Sequence, residues 1–569
     1  MKSFEFDPEK AVTGTPAALW SKSGQALGLG VVMALALQFL PGLEAMRWFP
    51  NDLTLFLPRL FRAEVAPPPP EASIVGKVDE AELLGLAPEV EPDAPGLPNP
   101  VVVAPADPDS LTLPLFAQAG DPLPVSLPPE PAPGAVRDDE VPPGMAEAAA
   151  SFAPIDDGTA SEEDPEVVTQ FFQSDANLPR PPAIRMLEGG LPLLPIEDPQ
   201  RSMDRFYTSL HRVQQKKVGA MARVVHYGDS LITGDYVTMT IRELMQKRFG
   251  DGGFGFVLAG KPAPWYRREN LRLSSSNGWS INRMTQPTIE DDSYGLGAVT
   301  FRTTSKGEWV EMEPEGKELN QSFSKMEVFY YAQPRGGDFK MGVNGRTIDV
   351  STKAEKAASR KAEIQMNEAR HTFRLQTQGN GEVRVFGMVM EREGPGVVYD
   401  ALGLDGARAA LLKRMDPNHW HDQIRLRKPD LLVLHYGTNE SQAENLGIKT
   451  YASDLSQTVG HLRAALPGVS CLLVAPMDRA DKDADGKLVT RPVVKRIVLA
   501  QRRVAYEQGC AFWNTWEAMG GEGSMAKWYR SGLGGGDLTH PTAGGARRIG
   551  SMLFAALMDG YSDYLKKRQ

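Results

Sequence analysis

The chain has 569 residues, of which 41% are hydrophobic and 24% are charged, and its formal net charge is −10. This length exceeds that of one ordinary domain, so the composition has to be considered in parts. The sequence has no basic cluster interleaved with stacking aromatic residues in a recognisable module. We therefore exclude the usual nucleic-acid-binding classes and expect no nucleic-acid partner.

Residues 1–63 form an N-terminal tail with a predicted membrane anchor. No charged residue lies between Lys22 and Glu44, and residues 26–40 are nearly all apolar. A helix over about 24–43 would be about long enough to cross a bilayer. The preceding segment is longer than a typical cleaved leader and contains acidic residues, which favours an uncleaved anchor. A cleaved signal peptide and a buried soluble helix are the alternatives, and the flanking charges do not settle the orientation.

Residues 64–199 are predicted to be a disordered linker rich in proline, alanine and acidic residues. This segment contains 28 of the 45 prolines and few aromatic residues, so it cannot bury enough apolar surface to fold. It has 26 acidic and 4 basic residues, whereas residues 1–63 have 5 and 6. Subtraction from the totals of 72 and 62 leaves 41 acidic and 52 basic residues for residues 200–569, a net charge of +11. A basic catalytic part can attract an anionic polymer, although scattered surface lysines would give the same sum.

Residues 274–393 alternate between apolar and polar positions with a period of two. Residues 326–331 and 382–390 are clear examples, and turn signals such as Asn344-Gly345 and Asn380-Gly381 separate such runs. This pattern is typical of an antiparallel β-sandwich. We predict an antiparallel β-sandwich domain over this range.

Two polar motifs directly follow apolar, strand-like runs. Gly228, Asp229 and Ser230 follow residues 224–227, and Asn439 comes shortly after residues 431–436. Crevices at the carboxyl edge of a parallel α/β sheet bind ligands, so these groups are expected to meet there. The order of a serine, an asparagine and a C-terminal Asp-x-x-His predicts a serine site that cleaves esters.

The chemistry of such a site assigns a role to each residue type. A serine hydroxyl is a weak nucleophile near neutral pH, so a base must take its proton as the new bond forms. His540 can do so, since an ordinary imidazole titrates near pH ~6.5, and Asp537 can orient it. The amide of Asn439 can donate to the oxyanion. This chemistry needs no metal or other cofactor, and His419 and His421 lack further ligands at zinc-site spacing.

With these motifs, the chain resembles the SGNH (GDSL-type) hydrolases from about residue 203 to residue 564, with one insert. The resemblance implies an α/β fold, a three-layer α/β/α flavodoxin-like sandwich around a parallel sheet, formed by residues 200–273 and 394–569. Ser230 matches the family nucleophile, His540 the base and Asp537 the residue that orients the base.

The resemblance also implies an oxyanion hole. Its donors would be the N–H groups of Ser230 and Gly406 and the side chain of Asn439, with Gly403 as the competing glycine. The family asparagine is usually followed by aspartate, whereas this chain has Glu440. This departure leaves the amide donor in place and affects only the local turn.

The sandwich at 274–393, inserted between the two parts of this fold, resembles the jelly-roll-like domain of bacterial peptidoglycan O-acetylesterases of the SGNH group. The expected activity is therefore removal of O-acetyl groups from a cell-envelope polysaccharide, most plausibly peptidoglycan, through an acyl-enzyme. The alternatives are a polysaccharide O-acetyltransferase with a membrane partner that supplies acetyl groups, a carbohydrate-binding scaffold with a vestigial site, and a lipase or thioesterase. The expected location is the bacterial inner membrane, with the catalytic domain in the periplasm.

Two further sets of residues have no assigned role in the reaction. Trp265, Tyr266 and Trp279 could stack on sugar rings, or they could be core residues at the domain junction. Cys471 and Cys510 lie in separate apolar runs and are predicted to be buried thiols rather than a disulfide.

Overall fold

The computed structural model describes residue 171, residues 178–286 and residues 289–568. The predicted anchor at 24–43 and most of the predicted linker lie outside these ranges. Within them, none of the helices combines the length and the apolar character needed to span a bilayer.

The described strands, in chain order, are β1 (Arg185–Met186), β2 (Pro192–Leu193), β3 (Met221–Gly228), β4 (Gly253–Leu258), β5 (Leu271–Ser275), β6 (Ser280–Arg283), β7 (Val299–Thr303), β8 (Lys306–Pro314), β9 (Phe323–Ala332) and β10 (Asp338–Val343). They continue with β11 (Arg346–Ser351), β12 (Ala358–Ala369), β13 (Phe373–Gln378), β14 (Val383–Glu391), β15 (Gly396–Gly403), β16 (Leu431–His435), β17 (Ser470–Val474), β18 (Ala480–Lys482), β19 (Leu488–Thr490) and β20 (Ala511–Trp513).

The described α-helices are α1 (Asp204–Gln214), α2 (Ser230–Thr233), α3 (Tyr236–Phe249), α4 (Pro417–Arg427), α5 (Ile448–Ala465), α6 (Pro492–Glu507), α7 (Thr515–Ala518), α8 (Ser524–Arg530) and α9 (Ala543–Lys566). Short 3₁₀-helices span Ala409–Arg414 and Glu440–Gln442.

A five-stranded parallel sheet with the order β15-β3-β16-β17-β20 forms the centre of the hydrolase part. Most of its strand residues are buried, as expected for a parallel sheet covered on both faces. Helices α1, α3 and α9 contribute to the core on one face, and α4, α5 and α6 contribute to the core on the other. This arrangement confirms the predicted three-layer α/β/α sandwich.

Two antiparallel sheets lie between β3 and β15 in the chain. One has the order β11-β10-β13-β8-β5, and the other has the order β12-β9-β14-β7-β6 with β4 paired to β14. They confirm the predicted additional β-sandwich. Their first strand, β4, begins at Gly253, before the predicted boundary at 274, because the chain joins the sandwich directly after α3.

The two parts share a buried ionic cluster at the crossing from β14 to β15. Arg427 donates from Nε to Asp400 Oδ2 at 2.5 Å and from Nη1 to Glu391 Oε1 at 2.6 Å. Arg223 on β3 also pairs with Glu391, at 2.8 Å. Removal of one partner would leave an uncompensated buried charge, so the cluster fixes β14 and β15 relative to each other.

Residues 191–197 cover the edge of the parallel sheet. Glu197 and Phe512 exchange two backbone hydrogen bonds of 2.9 Å, and the Trp513 indole N–H donates to the Leu194 carbonyl at 3.1 Å. Leu191 and Leu193 are buried beside them. The predicted linker extended to residue 199, but its last part is packed, because a few leucines suffice to anchor a short segment on a sheet edge.

Cys471 and Cys510 form a disulfide, so the prediction of two separate thiols is wrong. Strands β17 and β20 are parallel neighbours, with Leu472 opposite Ala511. The two cysteines therefore lie side by side, with Cα atoms 4.8 Å apart. The sequence separates them by 39 residues, and only the strand order brings them together.

Candidate active site

Ser230 lies where β3 ends and is the first residue of α2. The Asp229 side chain caps this helix, and its Oδ1 accepts the N–H of Leu231 at 3.1 Å. A Cβ on Gly228 would lie 2.3 Å from Cγ1 of Ile232, so this position requires glycine. The tight strand-to-helix turn presents the serine at the carboxyl edge of the sheet, as its motif predicts.

Ser230, His540 and Asp537 form a continuous hydrogen-bonded relay. Ser230 Oγ lies 2.8 Å from His540 Nε2, and His540 Nδ1 lies 2.6 Å from Asp537 Oδ2. The other carboxyl oxygen of Asp537 accepts the backbone N–H groups of Thr539 and His540 at 3.0 and 2.9 Å. The structure thus brings Ser230 to a histidine that lies 310 positions later in the sequence.

A hydrogen bond from another segment holds the turn that carries Asp537 and His540. Leu538 has a left-handed backbone with φ of 55°, and its carbonyl accepts the N–H of Ala480 at 3.1 Å. Burial raises the pKa of Asp537, but the hydrogen bond and charge of His540 lower it, and the net pKa lies below the usual value. Asp537 is therefore an ionised partner suited to an imidazolium.

The predicted oxyanion donors lie in the loops that follow β15 and β16. Asn439 is buried, and its Nδ2 donates to the carbonyl of Ala407 at 2.9 Å. Gly406 has a φ of 72°, which favours glycine. Gly403 has a different reason to be glycine, because a Cβ there would lie 2.1 Å from the backbone nitrogen of Thr233. The donor roles of Asn439 and of Gly406, with Gly403 as the competing glycine, stay predictions.

Glu440 joins these two loops, a contact that the motif comparison missed. It is buried, and its Oε1 accepts the N–H of Ala409 at 3.0 Å. Burial raises the pKa of Glu440 to about 7, against the effect of that N–H. With the bond from Asn439 to Ala407, this contact holds the loop of Gly406 against the loop of Asn439. No sequence signal identifies it, because the partner is a backbone group.

Two further buried acids lie beside the relay. Burial raises the pKa of Asp229 to about 6, although the N–H of Leu231 and the hydroxyl of Thr438 oppose the shift. Burial also raises the pKa of Asp405, which the indole of Trp265 opposes. Both carboxyl groups therefore take up a proton at a higher pH than an exposed aspartate does.

The three aromatic residues at the junction differ in exposure. Tyr266 and Trp279 are buried, with 5% and 9% of their surface exposed. The Tyr266 hydroxyl accepts the N–H of Leu258 at 3.1 Å. These two residues therefore pack in the core, while Trp265 is only partly buried and faces Asp405.

Four further histidines, His226, His419, His421 and His435, make contacts within the fold. His226 Nδ1 lies 2.8 Å from the Tyr399 hydroxyl, and its ring stacks on His435 with centroids 5.6 Å apart. His419 Nε2 bonds to a backbone carbonyl at 2.8 Å, and His421 Nε2 bonds to another at 3.2 Å. These contacts give each of the four rings a place in the packing.

Comparison with known proteins relates part of this chain to one family. Residues 370–548, which include Asn439, Asp537 and His540, match the GDSL-like lipase/acylhydrolase family; Ser230 lies before the matched range because of the insert. No curated protein matches the chain. A solved peptidoglycan O-acetylesterase is 25% identical, with a TM-score of 0.54, over 63% of this chain and 96% of that chain.

More distant structures include a family two carbohydrate esterase from Clostridium thermocellum, 12% identical over 51% of this chain and 98% of that chain, with a TM-score of 0.23. A salicylyl-acyltransferase from a tetracycline biosynthetic pathway is 13% identical over 53% and 97%, with a TM-score of 0.25. Neither likeness is close enough to bear on function. On the family match and the first structure, the chain contains a GDSL-like lipase/acylhydrolase domain and is a carboxylic ester hydrolase.

Proposed function

We propose that the protein is a serine esterase that removes O-acetyl groups from a cell-envelope polysaccharide, peptidoglycan in particular, through an acyl-enzyme. The observation that carries the proposal is the relay from Ser230 Oγ through His540 to Asp537, with contacts of 2.8 and 2.6 Å. The 25% identical peptidoglycan O-acetylesterase supports the choice of substrate.

The relay supports an ordered series of proton transfers. His540 Nε2 takes the proton of Ser230 as Oγ attacks the acetyl carbonyl, and Asp537 stabilises the imidazolium. The oxyanion accepts from the N–H groups of Ser230 and Gly406 and from the amide of Asn439, and each donor is worth about 3–4 kcal/mol of barrier. His540 then protonates the departing sugar oxygen. Water, activated by the same imidazole, releases acetate from Ser230.

The proposed location is the periplasmic side of a bacterial inner membrane, with the N-terminal anchor in the bilayer. The disulfide between Cys471 and Cys510 supports an oxidising compartment, where such bonds persist. The net charge of +11 on residues 200–569 is compatible with an anionic envelope polymer.

The test is acetate release from O-acetylated peptidoglycan by the full-length chain, with Ser230→Ala as the control. We expect acetate from the unmodified protein and a loss of about 10⁴-fold or more in the variant. Equal release by a folded Ser230→Ala protein would refute the site. Acetyl groups that move to an added glycan, without free acetate, would indicate a transferase that uses the same acyl-enzyme.

A further inference from the structure

Arg479 lies between the two halves of the candidate site. It follows β17 at the carboxyl edge of the parallel sheet and is partly buried. Its Nη1 donates to Oγ of Ser441, two residues after Asn439, at 3.3 Å. The next residue, Ala480, donates its N–H to the carbonyl of Leu538 in the turn of the catalytic histidine. The arginine is thus adjacent to the loop of Asn439 and to the turn of His540, two of the segments that the proposed reaction uses.

The charges of two acids, Asp481 and Asp537, act on Arg479, and each of these acids already has another partner. Arg491 bonds from Nε to Asp481 at 2.7 Å and from Nη2 to Glu444 at 3.2 Å. The carboxylate of Asp537 is also close, but both of its oxygens are occupied by His540 and the N–H groups of its own turn. Among the described residues, none forms a salt bridge with Arg479.

The environment of Arg479 is unfavourable for a cation without a partner. Its Nε is buried and donates to no described group. Burial and the positive charge of Arg491 lower its pKa from the usual arginine value, but a guanidinium remains protonated in proteins. A partly buried charge is normally paired, so the missing partner is expected to come from outside the chain.

The chemistry of the guanidinium selects the partner. Its planar donors form a bidentate hydrogen bond with a carboxylate, and a neutral sugar hydroxyl cannot accept such a pair of bonds. We propose that Arg479 binds a carboxylate of the substrate polymer beside the acetylated sugar, so that the site prefers acidic glycans over neutral ones. This inference rests on the proposed polysaccharide substrate and identifies its charged group.

The first test measures binding without turnover. Full-length Ser230→Ala protein is titrated with soluble peptidoglycan fragments, either native or with their carboxylates converted to methylamides, and Kd is measured. We expect the native fragments to bind more tightly, and Arg479→Gln to weaken their binding by about 10- to 100-fold, as for a lost hydrogen bond to a charged group. The same substitution should weaken the binding of the amidated fragments much less.

Two further variants separate recognition from support of the loops. Arg479→Lys keeps the charge without the planar donors and should retain part of the preference. Arg496→Gln removes an arginine of α6 that donates to the backbone carbonyl of Glu444, so it frees no carboxylate and should keep the preference for native fragments. Retention of that preference by Arg479→Gln would overturn the proposal. An equal loss for both kinds of fragment would also overturn it, since Arg479 would then only support the loop.

A second measurement keeps this inference distinct from the proposed function. With Ser230 intact, the ratio of kcat/KM for native and amidated acetylated fragments is expected to fall at least about tenfold in Arg479→Gln. Carboxylate-dependent binding without any acetate release would sink the esterase proposal and leave the role of Arg479 standing. Acetate release that does not depend on the carboxylates would support the esterase proposal and overturn the role of Arg479.

Discussion

At the residue scale, Asp537 uses its carboxylate on the ring of His540 and on two backbone N–H groups. In Asp537→Asn the amide would preserve the size of the side chain but favour the wrong imidazole tautomer. We expect kcat to fall by about 10³- to 10⁴-fold, with the free energy of unfolding little changed. Steady-state kinetics on an acetyl ester, together with urea unfolding, checks this. A loss below tenfold would mean that Asp537 does not orient the base.

Glu440 gives a second residue-scale prediction, on stability. Its pKa is raised from 4.5 to about 7, so the folded state favours the protonated form. The stability that this preference contributes is complete below pH 4.5 and is lost as the pH rises through 7. Glu440→Gln keeps an acceptor for Ala409 and removes the titration. We expect the variant to gain about 3 kcal/mol relative to the unmodified protein between pH 4.5 and 8.

Urea unfolding of both proteins at pH 4.5 and pH 8 measures this difference. Glu440→Asp, which keeps a carboxyl group, serves as the control for titration. The same difference in the free energy of unfolding at both pH values would show that Glu440 is ionised in the folded protein.

At the element scale, the disulfide joins the last two strands of the parallel sheet. It closes a loop of 39 residues, and such a crosslink stabilises by about 3–4 kcal/mol through the entropy of the unfolded chain. Replacement of both Cys471 and Cys510 by alanine should lower the free energy of unfolding by at least that amount. Urea unfolding with and without reductant checks this. An unmodified protein whose free energy of unfolding is the same with and without reductant, and the same as that of the variant, would contradict the prediction.

The elements also show where sequence patterns succeed and where they stop. Alternation identified β9 and β14, because charged residues such as Glu327 and Arg384 interrupt their apolar side chains. It could not show that β4 joins the sandwich, because this strand consists of glycines and apolar residues only and so has no polar position to alternate with. The anchoring of residues 191–197 was missed for a related reason: the linker composition hid three leucines that pack on β20 and the nearby helices.

At the scale of the whole molecule, buried histidines should govern stability in acid. Burial lowers the pKa of His435 to about 3 and that of His419 to about 4, and it lowers the pKa of His226 as well. A lowered pKa gives stability above the ordinary value of 6.5 that is lost as the pH falls below it. For each such histidine, the free energy of unfolding decreases by about 1.4 kcal/mol per unit as the pH falls below 6.5.

His435→Phe should remove one of these contributions. We expect the slope of unfolding free energy against pH, between about 6.5 and 4, to decrease by about 1.4 kcal/mol per unit in the variant. The raised pKa values of Glu440 and Asp229 act in the opposite direction, so the comparison must be made between the two proteins. An unchanged slope would mean that His435 is protonated in the folded state.

The sequence by itself determined the hydrolase class, the fold type and the positions of Ser230, Asp537 and His540, because motif order and strand-end placement are local features of the chain. The tertiary structure alone decided which groups meet across strands and loops. The disulfide depends on β17 lying next to β20, and the contact of Glu440 depends on a backbone N–H in another loop. Among the described residues Arg479 has no salt bridge, because Asp481 pairs with Arg491 and Asp537 pairs with His540. Such relations depend on distance between segments, which a linear pattern does not encode.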